Sequence, residues 1–168
     1  MLKTLMKVSK AGSVLRTLRP GQLGAGSRSV TWDGKLGDGT SATSGFYRFR
    51  VTATGALGTS SVSGPFTVDR YTPRLSAPVT ASVTLGRTAR IAYTARDPYS
   101  PTVKVGVTVK DATGATVATL DLGWVSQGKS HECAWKPPAK KAYTLEFRAL
   151  DRGGNHQNAV VRTKLTVR

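Results

Sequence analysis

Between Phe46 and Ala53 the chain alternates with period two. Tyr47, Phe49, Val51 and Ala53 occupy one parity, and Phe46, Arg48, Arg50 and Thr52 the other. Aromatic and β-branched residues at that period read as a half-buried strand, apolar parity toward a core and arginines toward water. The same text then recurs. Tyr143, Leu145, Phe147 and Ala149 repeat the apolar parity, Trp135 answers Trp32, and Leu165 and Val167 answer Phe66 and Val68. Gly12, Leu15, Leu18 and Gly21 fall on Gly114, Val117, Leu120 and Gly123 at identical spacing. The copies lose step only in loop-like text, where insertions cost little. A strand pattern written twice predicts one fold built twice.

The expected fold class is therefore all-β: two tandem immunoglobulin-like β-sandwiches, residues 1–70 and 71–168, joined by a linker at residues 69–73. A chain of 168 residues with 18 Gly and 8 Pro, and no sustained apolar pattern at helical spacing, fits that class. In the first copy, strands are expected from Leu5, over residues 14–18, 29–32, 46–53 and 65–68. Pro20-Gly21 is expected to break the second of these, and residues 54–64 read as a small polar loop. The cores should be built on Trp32, Tyr47, Phe49, Val51 and Phe66, and on Trp135, Tyr143, Leu145, Phe147 and Leu165.

The copies differ at their beginnings. Residues 74–103 precede the part of the second copy that aligns, and the first copy has no equivalent. A sandwich without its first two strands would leave unpaired edges and an uncovered apolar face. The first copy therefore reads as N-terminally incomplete, the chain being the C-terminal piece of a longer protein or carrying a misassigned start. A partner that donates the missing strands is the other arrangement.

Charge and cysteine usage bound the function. The formal net charge is +16, with 10 basic and 3 acidic residues in the first 70 positions and 15 and 6 in the rest. Such an excess gives nonspecific affinity for polyanions, including nucleic acid and acidic cell-wall polymers. It is also what alternating strands produce when Arg and Lys fill their solvent faces, and basic runs with interleaved aromatics are absent. The single cysteine, Cys133, permits neither an intrachain disulfide nor a Cys-based zinc site, and reads as a small buried hydrophobe. No 18-residue apolar stretch is present to span a membrane. The first ten residues are basic but lack the apolar core of a signal peptide.

Catalytic chemistry is sparse. His131 and Cys133 share a face of a predicted strand, with Glu132 opposite, but no Asn or Asp is patterned to orient the imidazole. His156 stands alone in a loop and makes no metal pattern with His131. Gly24-Ala25-Gly26 and Gly37-Asp38-Gly39 precede no helix that would turn them into phosphate loops. Asp33, Asp38, Asp69, Asp97, Asp111 and Asp151 invite a calcium reading, with Asp69 and Asp97 near the linker. However, residues 33–39 lack the alternate acids and final Glu of an EF-hand loop, and Asp in a turn ordinarily accepts backbone N–H bonds. No cofactor, metal or catalytic residue is expected. The candidate ligand contacts are Trp124, as an aromatic platform for sugar with no tryptophan counterpart in the first copy, and Asp33 and Asp38 in the loop after Trp32.

A family resemblance rests on three quoted segments. A-G-S-V-L-R-T-L-R-P-G (residues 11–21), S-V-T-W-D-G-K-L-G-D-G-T (29–40) and S-G-F-Y-R-F-R-V-T-A (44–53) resemble the Ig-like domain of the flagellar hook-capping protein, a FlgD-type module also found in repeats of secreted bacterial proteins. W-D-G with its Gly-containing loop and G-x-Y is the most specific part. In the second copy Trp135-Lys-Pro-Pro replaces W-D-G, the loop is seven residues shorter, and A-L-D-R-G-G-N (149–155) is similar to the A-x-D-x-x-G-N ending of bacterial surface Ig-like domains. The resemblance implies a noncatalytic spacer or interaction module of a larger cell-surface or secreted bacterial protein, with a protein or cell-wall polymer as partner. A flagellar hook-assembly protein and a carbohydrate-binding module are the alternatives.

Overall fold

The computed structural model describes residues 2–24 and 26–168. Met1, on which the expectation about the chain start falls, and Ala25, the middle of the Gly24–Gly26 loop, lie outside the described residues. The chain divides into two compact units, Met1–Arg70 and Tyr71–Arg168. Among the described residues the regular structure is entirely β, and no helix is long and apolar enough to cross a membrane.

The first unit is one four-stranded antiparallel sheet. Its strands are β1 (Leu2–Lys10), β2 (Ser13–Leu23), β3 (Gly45–Gly55) and β4 (Gly58–Val68), in the order β2-β1-β3-β4. Ala11 and Gly12, at φ 49° and 83°, make the two-residue turn of the β1–β2 hairpin, whose mirror-image geometry matches strand twist. Pro20-Gly21 does not end β2. The strand runs on to Leu23, and the extra residue is absorbed where the register shifts between Thr4–Gly21 and Met6–Leu18. β2 is an edge strand, where a missing N–H costs no ladder bond, and Gly21 takes the φ of 86° that the bulge requires. Residues 58–64, read as loop, belong to β4, paired residue for residue with β3. Their Ser and Gly content hid a strand whose hydrogen bonds come from the backbone.

The second unit adds the missing layer. It contains β5 (Arg74–Ser76), β6 (Thr80–Val83), β7 (Ala89–Arg96), β8 (Thr102–Asp111), β9 (Thr116–Ser126), β10 (Ser130–Trp135), β11 (Ala142–Leu150) and β12 (Val161–Val167). One sheet runs β6-β12-β11-β8-β9 and the other β10-β7-β5. Between them lies a closed core: Ile91, Tyr93, Val103, Val105, Val107, Val109, Cys133, Tyr143, Leu145, Phe147 and Leu165 are each 3% exposed or less. The strict alternation of β7, β8 and β12 dictates this, since one parity of each strand faces the other sheet.

The internal repeat is now a structural fact. β9-β8-β11-β12 reproduces β2-β1-β3-β4 in order and pairing, and the β8–β9 register shifts beside Gly123, the counterpart of Gly21. β5 to β7 have no counterpart among the described residues of the first unit, whose core is correspondingly small. Val8, Ala42 and Tyr47 are buried there, with Met6, Leu15, Trp32, Leu36, Phe66 and Val68 packed around them. Phe49 and Val51, expected in the core, are only half-buried, because no second sheet covers their end of the first one.

Candidate functional site

The segment after β2 carries Asp33 and Asp38. A strand was expected over residues 29–32, but this stretch has no ladder partner. The equivalent of β10 is instead an irregular strap laid over the inner face of the sheet. Trp32 anchors it, its ring 6.1 Å from Tyr47 and 5.6 Å from Phe66, and its Nε1 donates to the Lys35 carbonyl at 2.7 Å. The Gly37 amide donates to the Leu15 carbonyl at 2.8 Å, and Ala42, 1% exposed, closes the core from above.

Asp33 and Asp38 both act within this strap. Asp33 Oδ1 accepts the Lys35 amide at 3.0 Å. Asp38 Oδ1 accepts the Thr40 hydroxyl at 2.6 Å and the Thr40 amide at 2.9 Å. The hydroxyl bond, followed by the amide bond, holds the Asp38 carboxyl below its ordinary range. Both are exposed acids spent on turns.

Trp124 lies on β9 and is 41% exposed. The guanidinium of Arg152 stacks on its ring at 3.9 Å from the centroid, and Arg152 Nε donates to Thr102 Oγ1 at 3.0 Å. One face of the indole is thus taken by a cation, and only the other is free to meet a sugar.

His131 and Cys133 do share a face of β10. His131 Nε2 lies 2.8 Å from the Ser126 carbonyl oxygen and its ring 5.7 Å from that of Tyr93. Cys133 is buried, and burial, followed by the nearby Glu132 charge, pushes its thiol up to about 11. A nucleophilic cysteine needs the opposite shift. His156 is exposed in an isolated bridge to Leu150.

Asp97 and Asp151 are both buried, and their candidate ligand oxygens lie within 4.8 Å of each other. Asp97 Oδ1 accepts the amides of Tyr99 and Ser100 at 2.9 and 2.8 Å. Asp151 accepts the Asn155 amide through Oδ1 and the Asn155 side chain through Oδ2, each at 2.8 Å. Asp97 Oδ2 has no hydrogen-bond partner. These are the residues of the second unit that could hold a cation. The sequence placed them in turns but carried no sign that both turns are buried.

Glu146 was not singled out by the sequence. It is 5% exposed on the outer face of the five-stranded sheet, where Arg162 Nε approaches at 3.0 Å, Lys110 Nζ at 3.2 Å and Arg148 at 4.0 Å. Burial raises its carboxyl, but the bonds from Lys110 and Arg162 together outweigh it, and the net shift is downward. A carboxyl depressed on folding contributes stability above its unfolded value and loses it as pH falls through the folded one. Glu146→Gln is therefore expected to flatten the acid limb of stability against pH below the ordinary Glu value of 4.5. Urea midpoints measured across the acid range check this, an unchanged limb being the contrary result.

Comparison with known proteins places this geometry. Residues 7–56 match the family model of the FlgD Ig-like domain. The match takes in the last four residues of β1, then β2, the strap and all of β3. Over 56 residues the chain is 46% identical to the basal-body rod modification protein FlgD of Salmonella typhimurium and 45% identical to that of Escherichia coli. Each alignment takes in 33% of this chain and 24% of the relative, so the chain spans about a quarter of these curated proteins. Among solved structures, a tetra-tandem repeat from the extending region of a large adhesion protein aligns with 99% of this chain and 42% of that one, at a TM-score of 0.50 and 22% identity. Domains 4 and 5 of the S-layer protein SbsC align over 96% of both chains at 0.41 and 16%. The chain is an all-β protein of Ig-like fold, and residues 7–56 of it are similar to the FlgD Ig-like domain.

Proposed function

We propose that this chain is a noncatalytic Ig-like spacer and interaction module, part of a larger bacterial cell-surface or secreted protein, with residues 1–70 as the FlgD-type domain and 71–168 as a bacterial Ig-like domain. One observation carries the reading. The same four-stranded frame is built twice, and Asp33, Asp38, His131 and Cys133 are each held within the frame itself. Asp33 and Asp38 hold turns, Cys133 is buried with a raised thiol, and His131 lies against a carbonyl. Tandem repetition of a stiff sheet suits a device that sets distance and presents surfaces. The name of the adhesion-protein repeat supports surface display.

A second reading, hook assembly, draws on the 46% identity to basal-body rod modification proteins. Protease shaving of intact cells separates the two. The spacer reading expects peptides of this chain in the shaved fraction and none in purified hook–basal bodies, and enrichment in hook–basal bodies would replace it with the flagellar reading.

A further inference from the structure

The repeat supplies its own control for surface charge. The outer face of the first unit's sheet carries Lys3, Leu5, Lys7 and Ser9 from β1 and Arg48, Arg50, Thr52 and Thr54 from β3. Lys7 lies directly opposite Arg50, Lys3 opposite Thr54 and Ser9 opposite Arg48. β4 adds Thr59, Ser61 and Ser63 opposite the β3 residues, and β2 adds Thr17 opposite Lys7. Lys3, Lys7, Arg48 and Arg50 are exposed, and among the described residues no ion pair reaches any of them. The first unit's acids lie elsewhere: Asp33 and Asp38 in the strap over the opposite face, and Asp69 beyond β4.

The second unit resolves the same lattice differently. Counted from the paired tyrosines Tyr47 and Tyr143, the position of Arg50 is that of Glu146. There the glutamate gathers Lys110, Arg148 and Arg162, and a few residues away Asp121 takes Lys104. Like charges directly opposite on antiparallel strands are destabilising, so a Lys7–Arg50 pair without a carboxylate costs stability that the other copy avoids. A shallow concavity of about 380 Å³ lies on this same face, bordered by Lys3, Leu5, Arg19, Thr52 and Thr54.

We infer that the outer face of the β2-β1-β3-β4 sheet binds a linear phosphate polyanion, laid along the strands between the Lys3–Lys7 and Arg48–Arg50 rows. Side chains two apart on a strand stand about 6.6 Å apart and neighbouring strands about 4.8 Å apart, so Lys7, Arg50 and Arg48 form a contiguous group, with Lys3 about 13 Å from Lys7 across the Leu5–Thr52 pair. Guanidinium forks match phosphate and carboxylate alike, and the hydroxyls of Thr52, Thr54, Ser61 and Ser63 add donors for the further oxygens that a phosphate ester carries. Phe46, 70% exposed, stands on the same parity beside Arg48 at one end of the face, so an oligothymidylate arm tests whether a base stacking there adds to phosphate binding. The inference goes beyond the spacer reading and stands or falls separately from it.

The test uses the full chain and end-labelled sodium polyphosphate, followed by fluorescence anisotropy. A poly(glycerol phosphate) arm distinguishes a wall polymer from free polyphosphate as the source. With about four cations engaged, the log–log salt slope should be near −3, and affinity should fall about 50-fold between 50 and 200 mM salt. Arg50→Glu, which writes the second unit's residue into the first, should reduce the slope by about 1 or more and lose roughly tenfold in affinity or beyond. Its melting temperature should not fall, because the new carboxylate meets Lys7. Lys3→Gln with Lys7→Gln should lose affinity in the same direction. Arg148→Glu makes an identical charge change on the second unit and should leave binding unaltered. Equal loss in Arg50→Glu and Arg148→Glu would reduce the effect to net charge and overturn the site. So would retained affinity in Arg50→Glu, no binding at 50 mM salt, or tighter binding of oligothymidylate or polygalacturonate than of either phosphate polymer.

Discussion

Phe147→Ala is expected to destabilise the second unit by about 3–5 kcal/mol. The side chain is fully buried on β11, and its ring lies 5.7 Å from that of Tyr93 on β7, so it spans the space between the two sheets. Truncation leaves a cavity that the flanking β-branched Val105, Val107 and Val109 of β8 are too stiff to fill. Urea unfolding followed by near-ultraviolet circular dichroism should show the midpoint falling by more than 1 M, given a slope of about 1–3 kcal/mol/M. A shift worth under about 1 kcal/mol would mean that the sheets close over the gap and that the core is not packed as described.

Trp32→Ala is expected to unfold the first unit outright. A 70-residue unit has on the order of 4–10 kcal/mol of stability in hand, and this one has a small core in which, among the described residues, only Val8, Ala42 and Tyr47 are buried apolar residues. Losing the indole removes its contacts with Tyr47 and Phe66 and its bond to the Lys35 carbonyl. A large aromatic truncation of about 3–5 kcal/mol then takes most of what the unit has. Hydrogen exchange should show β1 to β4 losing protection while β7, β8, β11 and β12 keep theirs. Trp32→Phe retains a ring but no donor and should cost only about 0.5–1.5 kcal/mol from the lost bond, plus a packing remainder. Full protection of β1 to β4 in Trp32→Ala would show that the strap is dispensable.

The two variants mark where sequence reading succeeded and where it did not. Phe147 was legible because period-two alternation depends on the pleat alone, and the apolar parity of β7, β8, β11 and β12 met an opposing sheet. Phe49 and Val51 carry the same alternation and stay half-buried, because alternation names a face without saying whether anything covers it. Residues 58–64 were missed for the converse reason: a strand rich in Ser and Gly is held by its ladder to β3, and ladders leave no trace in composition. Trp32 was expected in the core and packs against it, yet was placed in a strand that does not form.

The candidate site divides in the same way. Asp33 and Asp38 were readable as turn acids, and their amide and hydroxyl partners lie two residues away. Arg152 over Trp124 could not be read, since 28 residues separate them and only the docking of the loop after β11 beside β9 brings them together. Glu146 and Arg50 look alike in the sequence, each a charged residue on the solvent parity of a strand. Their neighbours distinguish them.

The amino-acid sequence alone determined the all-β class, the duplication and the apolar parity of the main strands, because these follow from local periodicity and internal comparison. Only the tertiary structure decided that the first copy is a single sheet closed at one end by a tryptophan-anchored strap. It alone showed that Asp97 and Asp151 converge in burial, and that one copy's outer face holds carboxylates paired with its cations while the four cations of the other's have no carboxylate among them. Those outcomes depend on which residues, distant in the chain, stand on adjacent strands, and strand pairing is settled by the register of the whole sheet.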